Sequence, residues 1–205
     1  MSYKNIKTTT ENETMIPIHY IDSYRDEEVK EIFKRYKFEN ARNSTYLLNI
    51  CIDICIGIIV EKYYSEHNRE SNILFIYPPS TMFYRKEKDI DSMSNLIKQT
   101  KKYLNFYFSR NTKKYYFKNL FSINKKYLKN KKAQHIGGSK EIRTKNLNQR
   151  YYLNFWNRQF LQKLTKRKTI IVIIDDVSST GGTLLACKNC LREFDVEVEL
   201  YSLAH

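Results

Sequence analysis

The chain is 205 residues long and carries 36 Lys and Arg against 22 Asp and Glu, a formal net charge of +14. That length supports one α/β domain with a sizeable core, and three prolines and five glycines are too few for a Pro/Gly linker to divide it. The positive excess favours polyanions such as nucleic acid, pyrophosphate groups or an anionic membrane surface. A composition rich in Lys, Asn, Ile and Tyr is equally the product of AT-rich coding, so charge alone does not choose between function and drift.

In chain order, Met1-Ser2-Tyr3-Lys4-Asn5 leads into Thr-rich polar sequence rather than an apolar leader, and residues 1–20 read as a loose arm or a short extra strand. Ser23 with Asp26 three residues on has capping-box spacing, and the helix it predicts has Val29, Ile32, Phe33 and Tyr36 as its apolar stripe. Ser44 predicts the N-cap of a second helix running to about Tyr64. Its most apolar stretch, 46–60, is too short to span a bilayer and contains Asn49 and Asp53, so it reads as a buried helix. A cytoplasmic protein without membrane insertion is expected.

A core strand over 72–77 follows, then a helix over 91–104 with Met93, Leu96, Ile97, Thr100 and Leu104 on one side. Residues 105–110 suit a further strand, and 148–164 suit a third helix with Tyr151, Phe155 and Phe160. Strand 169–174, helix 183–193 and alternating strand 196–202 close the chain. The order strand, helix, strand, helix, strand points to a parallel sheet with right-handed crossovers. The expected division is an N-terminal arm with helices over 1–70, packed on an α/β domain over 71–205.

Two features have double readings. Residues 113–132 hold a run of Lys interleaved with Tyr115, Tyr116, Phe117, Phe121 and Tyr127 and contain no acid. They read either as a single-stranded nucleic-acid platform or as a solvated hairpin with its aromatics turned inward. The cysteines pair as Cys51/Cys55 and Cys187/Cys190 at helical spacing. A joint zinc site is conceivable, but buried thiols acting as small apolar groups are the expectation.

Residues 169–183, Thr-Ile-Ile-Val-Ile-Ile-Asp-Asp-Val-Ser-Ser-Thr-Gly-Gly-Thr, are the most informative segment. The apolar β-branched run reads as a strand buried on both faces, which puts the following loop at the carboxyl end of a parallel strand, where open α/β sheets bind ligands. Ser178, Ser179, Thr180, Gly181, Gly182 and Thr183 offer backbone N–H groups, hydroxyls and close backbone approach ahead of a helix, the makings of a phosphate cradle. Asp175 and Asp176 suit a diol, so the combination suggests a sugar phosphate.

Asp175 to Thr183 resembles the phosphoribosyl-pyrophosphate (PRPP) signature of type I phosphoribosyltransferases. Further segments are similar to the ComF branch of that family, which is associated with bacterial DNA uptake. These are the turn Pro78-Pro79-Ser80-Thr81 after strand 73–77, the segment Lys88-Asp89-Ile90-Asp91-Ser92-Met93, Gln134 followed by Arg143-Thr144-Lys145-Asn146, and the closing Ser202-Leu203-Ala204-His205. The similarity spans about 70–205. Two departures stand out: Lys88-Asp89 replaces the family's Arg-Gly, and the four-cysteine zinc ribbon that begins many members is not in the sequence.

The resemblance implies a type I phosphoribosyltransferase-like, Rossmann-like α/β fold: a parallel sheet flanked by helices, here with a helical N-terminal extension. It implies PRPP as ligand together with Mg²⁺, and transfer of phosphoribose to a nitrogen acceptor. Asp175 and Asp176 would hold the ribose diol, directly or through Mg²⁺, and Ser178 to Thr183 the 5′-phosphate. Pro79, Ser80 and Thr81 would face the pyrophosphate, with Arg85, Lys88 and Arg143 as candidate cations for it. The competing expectation is a protein that keeps this fold without catalysis, either binding single-stranded DNA through 113–132 or sensing PRPP.

Overall fold

The computed structural model describes residues 5–11, 14–38, 44–64, 71–80, 91–108, 115–129 and 149–205. Its elements are β1 (Asn5–Glu11), β2 (Thr14–Asp22), α1 (Glu27–Phe38), α2 (Thr45–Tyr64), β3 (Asn72–Ile76), α3 (Ser92–Tyr107), β4 (Tyr115–Phe117), β5 (Phe121–Ile123), α4 (Lys126–Lys129), β6 (Tyr151–Leu153), α5 (Phe155–Leu164), β7 (Thr169–Val177), α6 (Gly182–Asn189) and β8 (Glu197–Ala204). The main sheet has the order β1-β2-β8-β7-β3-β4, and β5 and β6 form a separate two-stranded ribbon. Five strands run parallel, and only β1 is antiparallel, paired with β2 at one edge. The protein is therefore an α/β fold with a parallel sheet flanked by helices.

β7 lies at the centre because its sequence leaves it no other place. Thr169 to Ile174 are all buried. Ile170, Val172 and Ile174 pack on one face with Phe33 of α1, Leu47 and Ile54 of α2 and Leu96 of α3. Ile171 and Ile173 pack on the other with Leu161 of α5, Leu184 of α6 and Leu120. A strand covered on both faces needs continuous apolar sequence, which is why this run does not alternate. α2 follows the same logic: it is apolar almost all round, and its exposed side is marked by Asn49 and Asp53 at helical spacing. Among the described residues, no helix is long and apolar enough to cross a membrane.

Several expectations hold residue by residue. Val29, Phe33 and Tyr36 are buried, as are Met93, Leu96, Ile97, Thr100 and Leu104. Ser44 caps α2, its hydroxyl accepting from the Leu47 N–H at 3.3 Å.

Others are corrected. The segment expected as a loose arm or a short extra strand forms two paired strands, the second joining the sheet beside β8, so the strand alternative holds and the N-terminal extension is not purely helical. α1 begins at Glu27 because Asp26, not Ser23, caps it, accepting from the Glu28 N–H at 2.9 Å. Residues 105–107 continue α3, closed by the Phe108 N–H on the Leu104 carbonyl at 2.9 Å, and the next strand is β4. Leu104 completes the buried stripe of α3, and that periodicity outweighs the strand propensity of the aromatics after it.

The helix expected over 148–164 divides, because Asn154 accepts from the Asn157 N–H at 2.9 Å and starts α5 afresh. Tyr151 thus belongs to a strand, and Phe155 is exposed rather than part of an apolar stripe. The last helix stops at Asn189, short of the expected 193. Cys51 and Cys55 lie in the core on the α2 face and Cys187 in the core on the α6 face, so the sheet separates the two pairs and no joint zinc site exists.

Residues 115–123 are not a hairpin: β4 pairs in parallel with β3, whereas β5 pairs with β6. Tyr115 and Phe121 are buried, and Phe117 stacks on Phe75 at 4.9 Å.

Phe33 locks α1 onto the sheet at 2% exposure. Phe33→Ala is expected to lower unfolding free energy by about 3–5 kcal/mol in urea titration. Trp156→Ala, at a ring 77% exposed, is expected to stay within about 0.5 kcal/mol.

Candidate functional site

The last bonded pair between β3 and β7 is Ile76 with Ile173, while β7 stays paired with β8 as far as Val177 opposite Ala204. Beyond Ile76 the chain enters Pro78-Pro79, which have no N–H to continue a ladder. The sheet therefore opens on one side of β7 just where Asp175 and Asp176 emerge. Ser80 stays close by: its N–H donates to Asp91 Oδ2 at 3.0 Å, and Asp91 Oδ1 caps α3 through the Ser94 N–H at 3.2 Å. Asp91 thus ties the Pro-Pro-Ser turn to the helix beside it.

After β7 the loop is anchored from the neighbouring strand. The Ser178 N–H donates to the Ala204 carbonyl at 3.0 Å, and the Ser178 carbonyl contacts His205 Nδ1. His205 is itself fixed by its own N–H on the Asp22 carbonyl at 3.0 Å. Ser178 and Gly181 are buried, whereas Ser179 and Thr180 are exposed and Gly182 and Thr183 partly so. Gly181 has φ 75°, a left-handed turn that a side chain would strain, and its carbonyl starts α6 by accepting the Leu185 N–H at 2.9 Å. Thr180 Oγ1 accepts from the Gly182 N–H at 3.4 Å. The loop thus places hydroxyls and the first turn of α6 at the same edge as the acids.

The acids are engaged. Asp175 Oδ1 accepts the Asp176 N–H at 2.9 Å, and Asp176 Oδ1 accepts the Val177 N–H at 2.7 Å. Lys37, at the end of α1, sits 2.7 Å from Asp176 Oδ2 and 2.9 Å from Oδ1. Burial, then the charge of Asp176, pushes the Asp175 carboxyl up to about 7, with Lys37 and Arg150 opposing. Asp91 is also raised, by burial and by Asp176, against the backbone N–H groups that bond it. Burial pulls the Lys37 ammonium down, but the attraction of Asp176 and Asp175 prevails and holds it above its ordinary value. Burial raises Tyr36 to about 12, and its hydroxyl donates to the Ser92 carbonyl at 2.8 Å, tying α1 to α3.

Of the residues expected at a site, the fold brings together Pro79, Ser80, Asp175, Asp176 and Ser178 to Thr183. Thr81, Arg85, Lys88 and Arg143 lie outside the described residues. Lys37, Asp91 and Arg150 join the site without having been expected there. Asp91 had a signal, as the cap of a helix following the Pro-Pro turn. Lys37 had none, being 139 residues from its partner. Among the described residues, no group of three or more His, Cys, Asp or Glu is disposed to hold a metal ion. No family model matches the chain, and no curated protein matches it either.

Because the folded state holds the Asp175 proton more tightly than the unfolded chain, this group's contribution to stability is fullest below about pH 4. It declines as pH rises toward 7 and is flat beyond. Asp175→Asn is expected to gain on the parent by on the order of 2 kcal/mol between pH 4 and pH 8. Paired urea titrations across that range measure the difference, and parallel curves would refute it.

Proposed function

We propose that the edge formed by β3, β7 and the start of α6 binds the phosphoribosyl group of PRPP, in a protein resembling the ComF branch of the type I phosphoribosyltransferases. The observation that carries this reading is an acid pair at the open end of a central parallel strand. A hydroxyl-rich loop follows it, turned by a left-handed Gly181 into a helix N-terminus. Asp175 and Asp176 accept from the ribose hydroxyls. Ser179, Thr180, Gly182 and Thr183 take the 5′-phosphate, with buried Ser178 holding the loop's base. The Pro79-Ser80 turn, held by Asp91, faces the pyrophosphate.

In phosphoribosyl transfer the bond from C1 to the pyrophosphate oxygen breaks as the acceptor nitrogen bonds to C1, through an oxocarbenium-like transition state. The chain's part is to orient the ribose and to place charge where the leaving group departs. Lys37 occupies both oxygens of Asp176, so Asp175 is the carboxylate that would hold a cation. That suits Mg²⁺ bound chiefly by the ligand's phosphates and keeping its waters, and when bound it neutralises the departing pyrophosphate.

A second reading, single-stranded nucleic-acid binding in DNA uptake, is favoured by how charge is distributed. Residues 92–174 hold 21 of the 36 Lys and Arg but one of the 22 Asp and Glu, a segregation that uniform coding drift would not produce. Among the described residues, every exposed ring except Tyr46 falls in that same span. Tyr115 is buried and cannot stack on a base, but Tyr116, Tyr152, Phe155 and Trp156 are exposed. Rings stacking on bases beside cations that track phosphates is the general mode of such binding.

Calorimetry with PRPP–Mg²⁺ and then with a single-stranded oligonucleotide separates the readings. Asp175→Asn with Asp176→Asn is expected to weaken PRPP binding by roughly tenfold or more, and unchanged affinity would remove the first reading. Trp156→Ala with Lys125→Gln and Lys126→Gln is expected to weaken oligonucleotide binding about tenfold and to flatten its salt dependence, while sparing PRPP. An unaltered salt slope would count against the second.

A further inference from the structure

We infer that Lys37 sets the chemical specificity of the acid pair, making it an acceptor for ligand hydroxyls and closing it to a bare divalent cation. The hydroxyl half of this rests on the phosphoribosyl reading; the cation half does not.

The ammonium bridges both oxygens of Asp176, at 2.9 and 2.7 Å. Oδ1 also accepts the Val177 N–H, which engages its second lone pair and leaves Oδ2 with one. One oxygen of Asp175 is taken by the Asp176 N–H. What remains is a small set of acceptor positions suited to O–H donors. They are too few, and with Lys37 present too weakly charged, to compete with water for a hard dication that wants six or more oxygens. The Asp176 charge also acts on Asp175 and Asp91, so without Lys37 this edge would be more strongly anionic.

Lys37 does not arrive there by chance of a flexible surface. Val29, Phe33 and Tyr36 bury one face of α1, and the Tyr36 hydroxyl bonds α3, so the helix end that carries Lys37 is fixed.

The test is calorimetry on the full chain with Mn²⁺ alone and, separately, with ribose 5-phosphate alone. Lys37→Met is expected to bind Mn²⁺ roughly tenfold or more tightly than the parent, through loss of a charge a few ångströms away. It is expected to bind ribose 5-phosphate roughly three- to tenfold more weakly, as Asp176 loses its anchor. Lys37→Arg, which keeps the charge, is expected to hold Mn²⁺ affinity within about threefold of the parent. Lys37→Gln repeats the comparison if the Met variant melts early. Equal Mn²⁺ affinity in the parent and the neutral variants would overturn the inference whatever ribose 5-phosphate does. No ribose 5-phosphate binding by the parent would defeat the phosphoribosyl reading instead, and the Mn²⁺ comparison would still decide the role of Lys37.

Discussion

Burial of β7 on both faces is the constraint from which the site follows. Its residues Ile170 to Ile174 alternate between the two cores, and its register against β3 and β8 fixes where it emerges. Along β7, pairing with β3 stops at Ile173, four residues before pairing with β8 ends at Val177, and the prolines after β3 have no N–H to carry the ladder on. The gap left beside the end of β7 is where Asp175 and Asp176 emerge, half-buried rather than as plain surface charges.

That placement has an electrostatic cost, and the fold meets it from a distant segment. Burial, and after it the charge of Asp176, displaces Asp175 toward neutrality. α1 brings Lys37 against Asp176, and the N–H groups of Asp176 and Val177 bond the acids in turn. The N-terminal segment is therefore not an appendage: β1 and β2 build one side of the sheet, α1 and α2 supply much of one core, and α1 brings Lys37 to Asp176. His205, reached from β8, holds the opposite flank of the loop.

The distribution of charge carries a different message from its total. A net +14 says little about partners, but residues 92–174, with most of the exposed rings, carry +20 while the rest of the chain is net negative. α3 packs on one face of the sheet, while α5 and β6 lie on the other. The exposed rings therefore do not share one face of the sheet.

The local features were legible in the sequence because they are local. Periodicity gave the buried stripe of α3 to the residue, hydroxyl caps gave the start of α2, and an unbroken β-branched run gave a doubly covered strand ending in acids and a glycine turn. Where competing local signals were close in strength, tertiary packing chose. Leu104 kept 105–107 helical, Asn154 split one apparent helix into a strand and a helix, and burial withdrew Tyr115 and Phe121 from a surface their Lys neighbours suggested. The contacts that define the site's chemistry had no sequence signal at all. Lys37 meets Asp176 across 139 residues, and the two cysteine pairs fall on opposite faces of the sheet, because strand order decides which distant segments become neighbours. Spacing along the chain carries no information about that order, and it was fixed only when β7 took the centre.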